Sequence, residues 1–446
     1  MRNVIIMGAG GRDFHDFNVV YRNDADVEVV AFTGTDWPDF GNIRYPTSLA
    51  GSRYPNGIAV FPEEQLADLI VDHSVDEVVL AYAGLSHDDV MHRASVVLAA
   101  GANFTLLGPD TTMLRATTPV VAVCAARTGS GKSQASRRIG QILLDAGLRV
   151  ALISHPLSYH GLEERPVQRF ATGADIASSD LTIEEREAYE RPVEMGMVVF
   201  AGVDYCAVIT QAQAESDVIV WDGGNNDLPF IRPDLHVVVV DPARAGEEFR
   251  YHPGETNLRM ADVILVNKMD TADSACVERA FAQMTHVNPT AKIVLSTSHV
   301  MLEDGPALAG HRVLVVEDGP TVTHGGMPFG AGTVAAQNAG ALRRVDPRPF
   351  AVGSIAKAFA TFPHMGHILP AMGYSRAELD DLEATINAVD CDVVVSGTPI
   401  PLRTVIHSRH PIRQATYELV EVGEPTLGQI LDPIVAKVRA TISAVA

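Results

Sequence analysis

The sequence predicts an α/β protein built from parallel sheets, and three strings carry the prediction. Val120-Val-Ala-Val-Cys-Ala-Ala-Arg-Thr-Gly-Ser-Gly-Lys-Ser133 reads as a buried strand, a Gly-rich turn and the start of a helix. That order, ending in Gly-Lys-Ser, is the phosphate-binding P-loop with Ala126 at its first glycine position. Asp217-Val-Ile-Val-Trp-Asp222-Gly-Gly-Asn-Asn226 is an apolar strand ending in an acid and glycines, and Ala261-Asp-Val-Ile-Leu-Val-Asn267-Lys268-Met-Asp270 is a strand ending in Asn-Lys-x-Asp. Together they predict a P-loop nucleotide-binding domain with a parallel sheet over residues 117–320. A Rossmann-like α/β domain (1–116) precedes it, and a smaller α/β segment (321–446) follows.

In the first domain, Val4–Met7, Val27–Thr33, Glu77–Ala83 and Phe104–Leu107 read as strands, with a helix from Asp88 to Ala100. Alternating strands and helices imply a parallel sheet with ligands at the strands' C-terminal ends. Gly8-Ala-Gly-Gly-Arg-Asp13 tempts a dinucleotide reading. The spacing is not G-x-G-x-x-G, and the second strand ends in Phe32-Thr33 where a ribose-binding acid belongs. Arg12, Asp13 and His15 are the side chains that would reach a ligand there.

In the second domain the backbone amides of Arg127, Thr128, Gly129, Ser130 and Gly131 are expected to surround phosphate oxygens at a helix N-terminus. Lys132 is the expected catalytic cation on the transferring phosphate. The Ser133 hydroxyl and the Asp222 carboxylate are expected to hold Mg²⁺. A carboxylate at Asp270 can accept two hydrogen bonds from guanine, while Asn267 and Lys268 brace the base. ATP and GTP both stay open as cofactor, with a lean to GTP. Strand Arg149–Ser154 delivers His155 to the sheet edge. Leu157–Met197 is Glu-rich and reads as a solvated helix and loop or as a lid. Lys292–Thr297 reads as the strand that closes this sheet.

The last segment opens with Glu317-Asp-Gly-Pro-Thr-Val-Thr-His324-Gly-Gly-Met, too Gly-rich for an ordinary core element. Asp318 and His324 are its reactive groups. A helix is expected over Arg376–Asn387 and a strand over Cys391–Val395. Arg403, His407, Arg409, His410 and Arg413 then concentrate cations in a chain of net charge −21. Either they hold an anionic substrate, with His155, His324, Arg409 and Arg413 as contacts, or they pair with surface acids. His364-x-x-His367 and His407-x-x-His410 lack a third ligand and are not read as metal sites.

The acidic balance (34 Lys and Arg against 55 Asp and Glu) argues against nucleic acid. Only five of those 34 basic residues are lysines, and two of the five, Lys132 and Lys268, fall inside nucleotide motifs. Four scattered cysteines fit a reducing compartment, and no apolar stretch approaches the roughly 18 residues of a membrane span. A cytoplasmic protein with no membrane partner, forming a homo-oligomer, is expected.

These strings, with Tyr251-His-Pro-Gly-Glu255 between them, resemble over nearly the whole chain the P-loop proteins of the cyclic 2,3-diphosphoglycerate synthetase-like family. The resemblance implies a nucleotide-dependent phosphoryl-transfer ligase acting on a small anionic acid, in the archetype closing a phosphoanhydride at the expense of ATP. A GTPase of the switch or metal-insertion chaperone type is the alternative.

Overall fold

A computed structural model describes residues 1–446 apart from 9, 36–42, 156–161, 225–226, 306, 324, 373–374 and 446. His324, the Asn225-Asn226 pair and the first part of the Leu157–Met197 segment lie outside the described residues. The N-terminal sheet has strands β1 (Arg2–Met7), β2 (Val27–Gly34), β3 (Arg44–Tyr45), β4 (Ile58–Pro62), β5 (Glu77–Leu80) and β6 (Asn103–Thr105). Its order is β3-β4-β2-β1-β5-β6, parallel except for the β3–β4 pair.

The second sheet has thirteen strands. β7 (Val120–Ala125), β8 (Val150–Ser154), β9 (Gln168–Phe170), β10 (Val198–Ala201), β11 (Val218–Asp222), β12 (Leu235–Val240), β13 (Val263–Val266) and β14 (Lys292–Leu302) come first. β15 (Arg312–Asp318), β16 (Arg343–Arg344), β17 (Leu369–Ala371), β18 (Val393–Ser396) and β19 (Ile412–Val422) follow. The order runs β16-β15-β18-β19-β14-β13-β12-β7-β11-β8-β10-β9, with β17 beside β15.

β7 is buried along its whole length because both faces are covered. Val121, Val123 and Ala125 pack with Ile139 and Leu143 of the following helix, and Val120 and Ala122 pack with Tyr205 and Trp221 on the other side. Full burial of Ile139 and Leu143 contributes about 1.5–3 kcal/mol each. That packing pins the P-loop between a rigid strand and a rigid helix.

β14 does not close the sheet. Its first residues pair in parallel with β13, and from Leu295 to Leu302 it pairs antiparallel with β19, which in turn pairs in parallel with β18. The polar run Ser296-Thr-Ser-His299 hid this continuation, because a half-exposed strand alternates where a fully buried one does not. β14 and β19 form a ribbon that carries the last strands past the C-terminal edge of the P-loop strands. The ends of β15 and β18 thereby come back to face that edge.

The N-terminal sheet docks through Tyr251-His252. Gly84 donates to the His252 carbonyl at 2.7 Å, the His252 amide to Leu85 at 2.8 Å, and the His87 amide to Arg250 at 2.8 Å.

Candidate functional site

A cavity of about 300 Å³ opens where the two sets of strand ends meet. Thr128, Gly129, Gly131, Lys132, Ser133 and Asp222 form its floor. Gly131 starts the helix Lys132–Asp145 with φ 107°, a left-handed backbone that favours glycine. A Cβ there would also lie 2.2 Å from Asn267 Nδ2, so two independent constraints require this glycine.

The Asn267-Lys268 string braces the loop from the side. Asn267 Nδ2 donates to the Ser130 carbonyl at 3.0 Å and Asn267 Oδ1 accepts from Ser296 Oγ at 3.0 Å. Lys268 Nζ donates to the Gly129 carbonyl and, at 3.2 Å, to Asp241. Lys268 takes φ 57°, a left-handed conformation that costs a non-glycine residue about 1–2 kcal/mol. These contacts hold it there. Asp270 is exposed and does not itself line the cavity, though Thr271 and Ser298 beside it do; its Oδ1 accepts from the Ser298 amide at 3.4 Å.

Lys132 Nζ and Asp222 Oδ1 are in direct contact, and both side chains are largely buried. A triphosphate and its cation would separate this pair, the ammonium going to phosphate and the carboxylate to metal. Ser133 and Asp222 supply hard oxygen donors that suit Mg²⁺, an ion that takes one or two protein ligands and fills the rest of its shell with phosphate and water.

Arg127 does not line the cavity. Its guanidinium carbon sits 3.4 Å from the Tyr251 ring centroid and its Nε donates to Glu247 at 3.0 Å. Glu247 also takes Arg244, whose Nη1 holds the Thr128 carbonyl at 2.8 Å. Arg127 therefore buttresses the loop from behind, leaving its backbone as the part near phosphate. Ser130 is likewise buried, with Oγ on the Arg127 carbonyl.

His155 lines the cavity and also faces the N-terminal domain. Burial holds its imidazole below the ordinary value, and Nδ1 lies 3.1 Å from Tyr205 Oη. A Cβ on Gly11 would fall 2.1 Å from His155 Nε2. The glycines of the first βα turn serve this contact, and Asp13 Oδ1 takes the Gly10 and Gly11 amides at 3.0 and 2.6 Å. Where a dinucleotide would place its pyrophosphate, the chain has put its own carboxylate.

Arg409 and Arg413 are not brought to the cavity. Arg409 bonds Val389 and His410, and Arg413 Nε donates to the Glu303 carbonyl at 3.1 Å. Arg403 pairs with Glu303 as well. Arg409 satisfies acceptors of its own segment, and Arg403 and Arg413 meet Glu303 just past the end of β14, the reading in which they serve surface structure.

The wall opposite the P-loop comes instead from Glu317, Asp318, Thr321, Phe329, Gly397 and Tyr417. Glu187 and Ala188 of the helix Ile183–Glu194 also reach the cavity, so the Glu-rich segment contributes to its edge. Tyr417 and Arg137 were not foreseen. Tyr417 lies on an alternating strand with no local signal, and Arg137 is one helical turn beyond Ser133 on a face that looks solvated in sequence.

Fold and site together define a P-loop nucleotide-dependent enzyme of the ligase or kinase-like kind. The description CobW/HypB/UreG, nucleotide-binding domain, matches residues 213–295. The arginine synthetase ArcE of Thermococcus kodakarensis is 50% identical over 431 residues, 97% of this chain and 96% of that protein. The chain belongs to the family of that synthetase. Among solved structures it is similar to LpxK of Aquifex aeolicus in complex with ATP (13% identity, 83% of this chain and 99% of that one, TM-score 0.42). It is also similar to the hydrogenase maturation factor HypB of Archaeoglobus fulgidus (19% identity, 40% and 81%, TM-score 0.28). Among the described residues no helix is long and apolar enough to cross a membrane.

Proposed function

We propose that the protein is a nucleotide-dependent ligase that completes the guanidino group of arginine. The observation that carries the reading is full-length kinship to an arginine synthetase in a chain whose P-loop opens into a cavity of about 300 Å³. Arginine differs from its ureido analogue, citrulline, by a nitrogen in place of one oxygen. That oxygen is a poor leaving group until it is phosphorylated.

A P-loop site supplies that activation. The ureido oxygen attacks the γ-phosphorus, the bond to the bridging oxygen breaks, and the nucleoside diphosphate leaves. Ammonia then adds to the activated carbon and inorganic phosphate departs with the former ureido oxygen. One ammonium, citrulline and a nucleoside triphosphate give argininium, nucleoside diphosphate, phosphate and one released proton. Lys132, the loop amides and Mg²⁺ on Ser133 and Asp222 would neutralise the transferring phosphoryl group, so catalysis here is mostly positioning and charge.

Cyclisation of 2,3-diphosphoglycerate, the activity of the archetype, would bring a second polyanion against Asp318, whereas a ureido group brings N–H donors there. The match of residues 213–295 to the CobW/HypB/UreG domain favours a second reading, a GTPase switch serving a protein or metal partner. Purified protein with Mg²⁺, ATP or GTP, citrulline and ammonium distinguishes them. The ligase reading expects arginine and phosphate in equal amounts, and nucleotide turnover that depends on citrulline. Turnover indifferent to citrulline but raised by a protein or metal partner would replace it with the switch.

A further inference from the structure

The cavity has two unlike sides. The P-loop side offers amides and the cations Lys132, Arg137 and Lys268, with Asp222 and Asp241 beside the two lysines. From residue 303 onward, the described residues that line it include two carboxylates, Glu317 and Asp318, and no Arg, Lys or His.

The two carboxylates are used differently. Glu317 is fully buried and accepts from the amides of Gly330 (3.0 Å), Gly332 (3.0 Å) and Thr333 (2.6 Å), so it anchors the start of the helix Ala331–Asn338. Asp318 caps the turn Gly319–Val322 through one oxygen, Oδ2, which takes both the Thr321 amide at 3.2 Å and the Thr321 hydroxyl. That turn sits on the P-loop, since Thr321 Cγ2 lies 3.4 Å from where a Cβ on Gly129 would be. The cap thus fixes Asp318 while leaving it on the cavity wall.

We propose that Asp318 is the acceptor-binding residue, its carboxylate receiving the paired N–H groups of a ureido amino acid and of the guanidinium it becomes. This rests on the arginine-forming reading above and names its acceptor side. The chemistry is directional. A ureido group presents two parallel N–H donors on the side opposite its carbonyl oxygen, and Oδ1, the oxygen that the Thr321 cap does not use, can accept the pair through its two lone pairs. The carbonyl oxygen then points away from Asp318, toward the loop that would hold the γ-phosphoryl group. Positive charge grows on the acceptor carbon as phosphate leaves, so the pairing strengthens along the reaction, which is the condition for it to speed turnover and not only binding. Burial pushes the Asp318 carboxyl up from its ordinary value while the Thr321 bonds oppose it. A phosphorylated acid in the same place would meet carboxylate with phosphate.

Asp318→Asn tests the assignment, because Asn caps a helix as well as Asp does and the turn should persist. With the wild type making arginine from citrulline, the variant is expected to raise the citrulline KM about 10–100-fold, the effect of losing one charge-assisted hydrogen-bond pair. Affinity for Mg·ATP and the melting temperature should stay close to wild type. An unchanged citrulline KM in a folded variant overturns the inference and leaves the ligase reading standing; a wild type that makes no arginine overturns the ligase reading itself. A second measurement needs no variant. In the presence of Mg·ADP, arginine should raise the melting temperature of the wild type and 2,3-diphosphoglycerate should not; the reverse order would overturn the proposal.

Discussion

Arg12, in the first βα turn of the N-terminal sheet, donates through Nη1 to Asp227 Oδ1 at 2.8 Å, just downstream of Asp222. Both side chains are buried. The guanidinium also lies 5.6 Å from the Phe230 ring centroid and 3.6 Å, through Nε, from Asp16. Asp227 is a junction in its own right, since Oδ1 takes the Leu228 amide at 2.8 Å and its carbonyl takes Asn257 Nδ2 at 3.1 Å. The N-terminal domain thereby grips the far end of the loop that begins at the expected metal ligand. Arg12→Gln should cost about 3–5 kcal/mol, the penalty of stranding a buried charge. Its kcat should fall more than its nucleotide affinity, because the loop and not the phosphate cradle is loosened. Urea unfolding and nucleotide titration, run beside steady-state kinetics, check both.

Lys132→Met removes the ammonium that now touches Asp222. Loss of one preorganised donor at a transition state costs about 10²–10³ in kcat. The variant should still bind Mg-nucleotide, since the loop amides remain, and product formation against nucleotide affinity reads the difference.

Asp270→Ala bears on the choice of base. If Asp270 reads guanine, GTP affinity should fall about 10–100-fold with ATP affinity unchanged, the worth of hydrogen bonds to a charged group. Equal loss for both nucleotides would give Asp270 the lesser task of holding the Ser298 amide.

Gly11→Ala would place a methyl group 2.1 Å from His155 Nε2 at φ 150°. The expected destabilisation is about 1–3 kcal/mol, from overpacking and backbone strain together. Because His155 also lines the nucleotide cavity, turnover should fall in step with the melting temperature.

The buried acids beside Arg12 predict a pH dependence. Burial raises Asp16 from 3.8 to about 7, against the pull of Arg12. Burial likewise raises Asp13 to about 6, opposed by the Gly11 and Gly10 amides. A raised carboxyl keeps its proton in the native state while the unfolded chain releases it, so stability from these groups falls as pH rises from 3.8 to about 7. Asp16→Asn should therefore gain stability on the wild type between about pH 5 and pH 8, measured by urea midpoints. A constant offset across that range would mean Asp16 is ionised throughout.

By itself the sequence determined the α/β class and the phosphate end of the site. β7, β11 and β13 are buried on both faces and so read as continuous apolar runs, and the glycines, Lys132, Asp222 and Asn267 stand at their ends. Local chemistry was sufficient there, because strand, turn and helix start are contiguous in the chain. The acceptor wall was not legible in the same way. It depends on β14 running past its expected end to pair with β19, and on β15 and β18 turning their ends back toward the P-loop. Thr321 and Gly129 meet through pairings between residues far apart in sequence, and Arg409 and Arg413 spend their hydrogen bonds on Val389, His410 and Glu303 rather than on the cavity. A cluster of charge in sequence says what is near along the chain. Only the tertiary structure decided which charges face the cavity, because strand pairing and burial select among them.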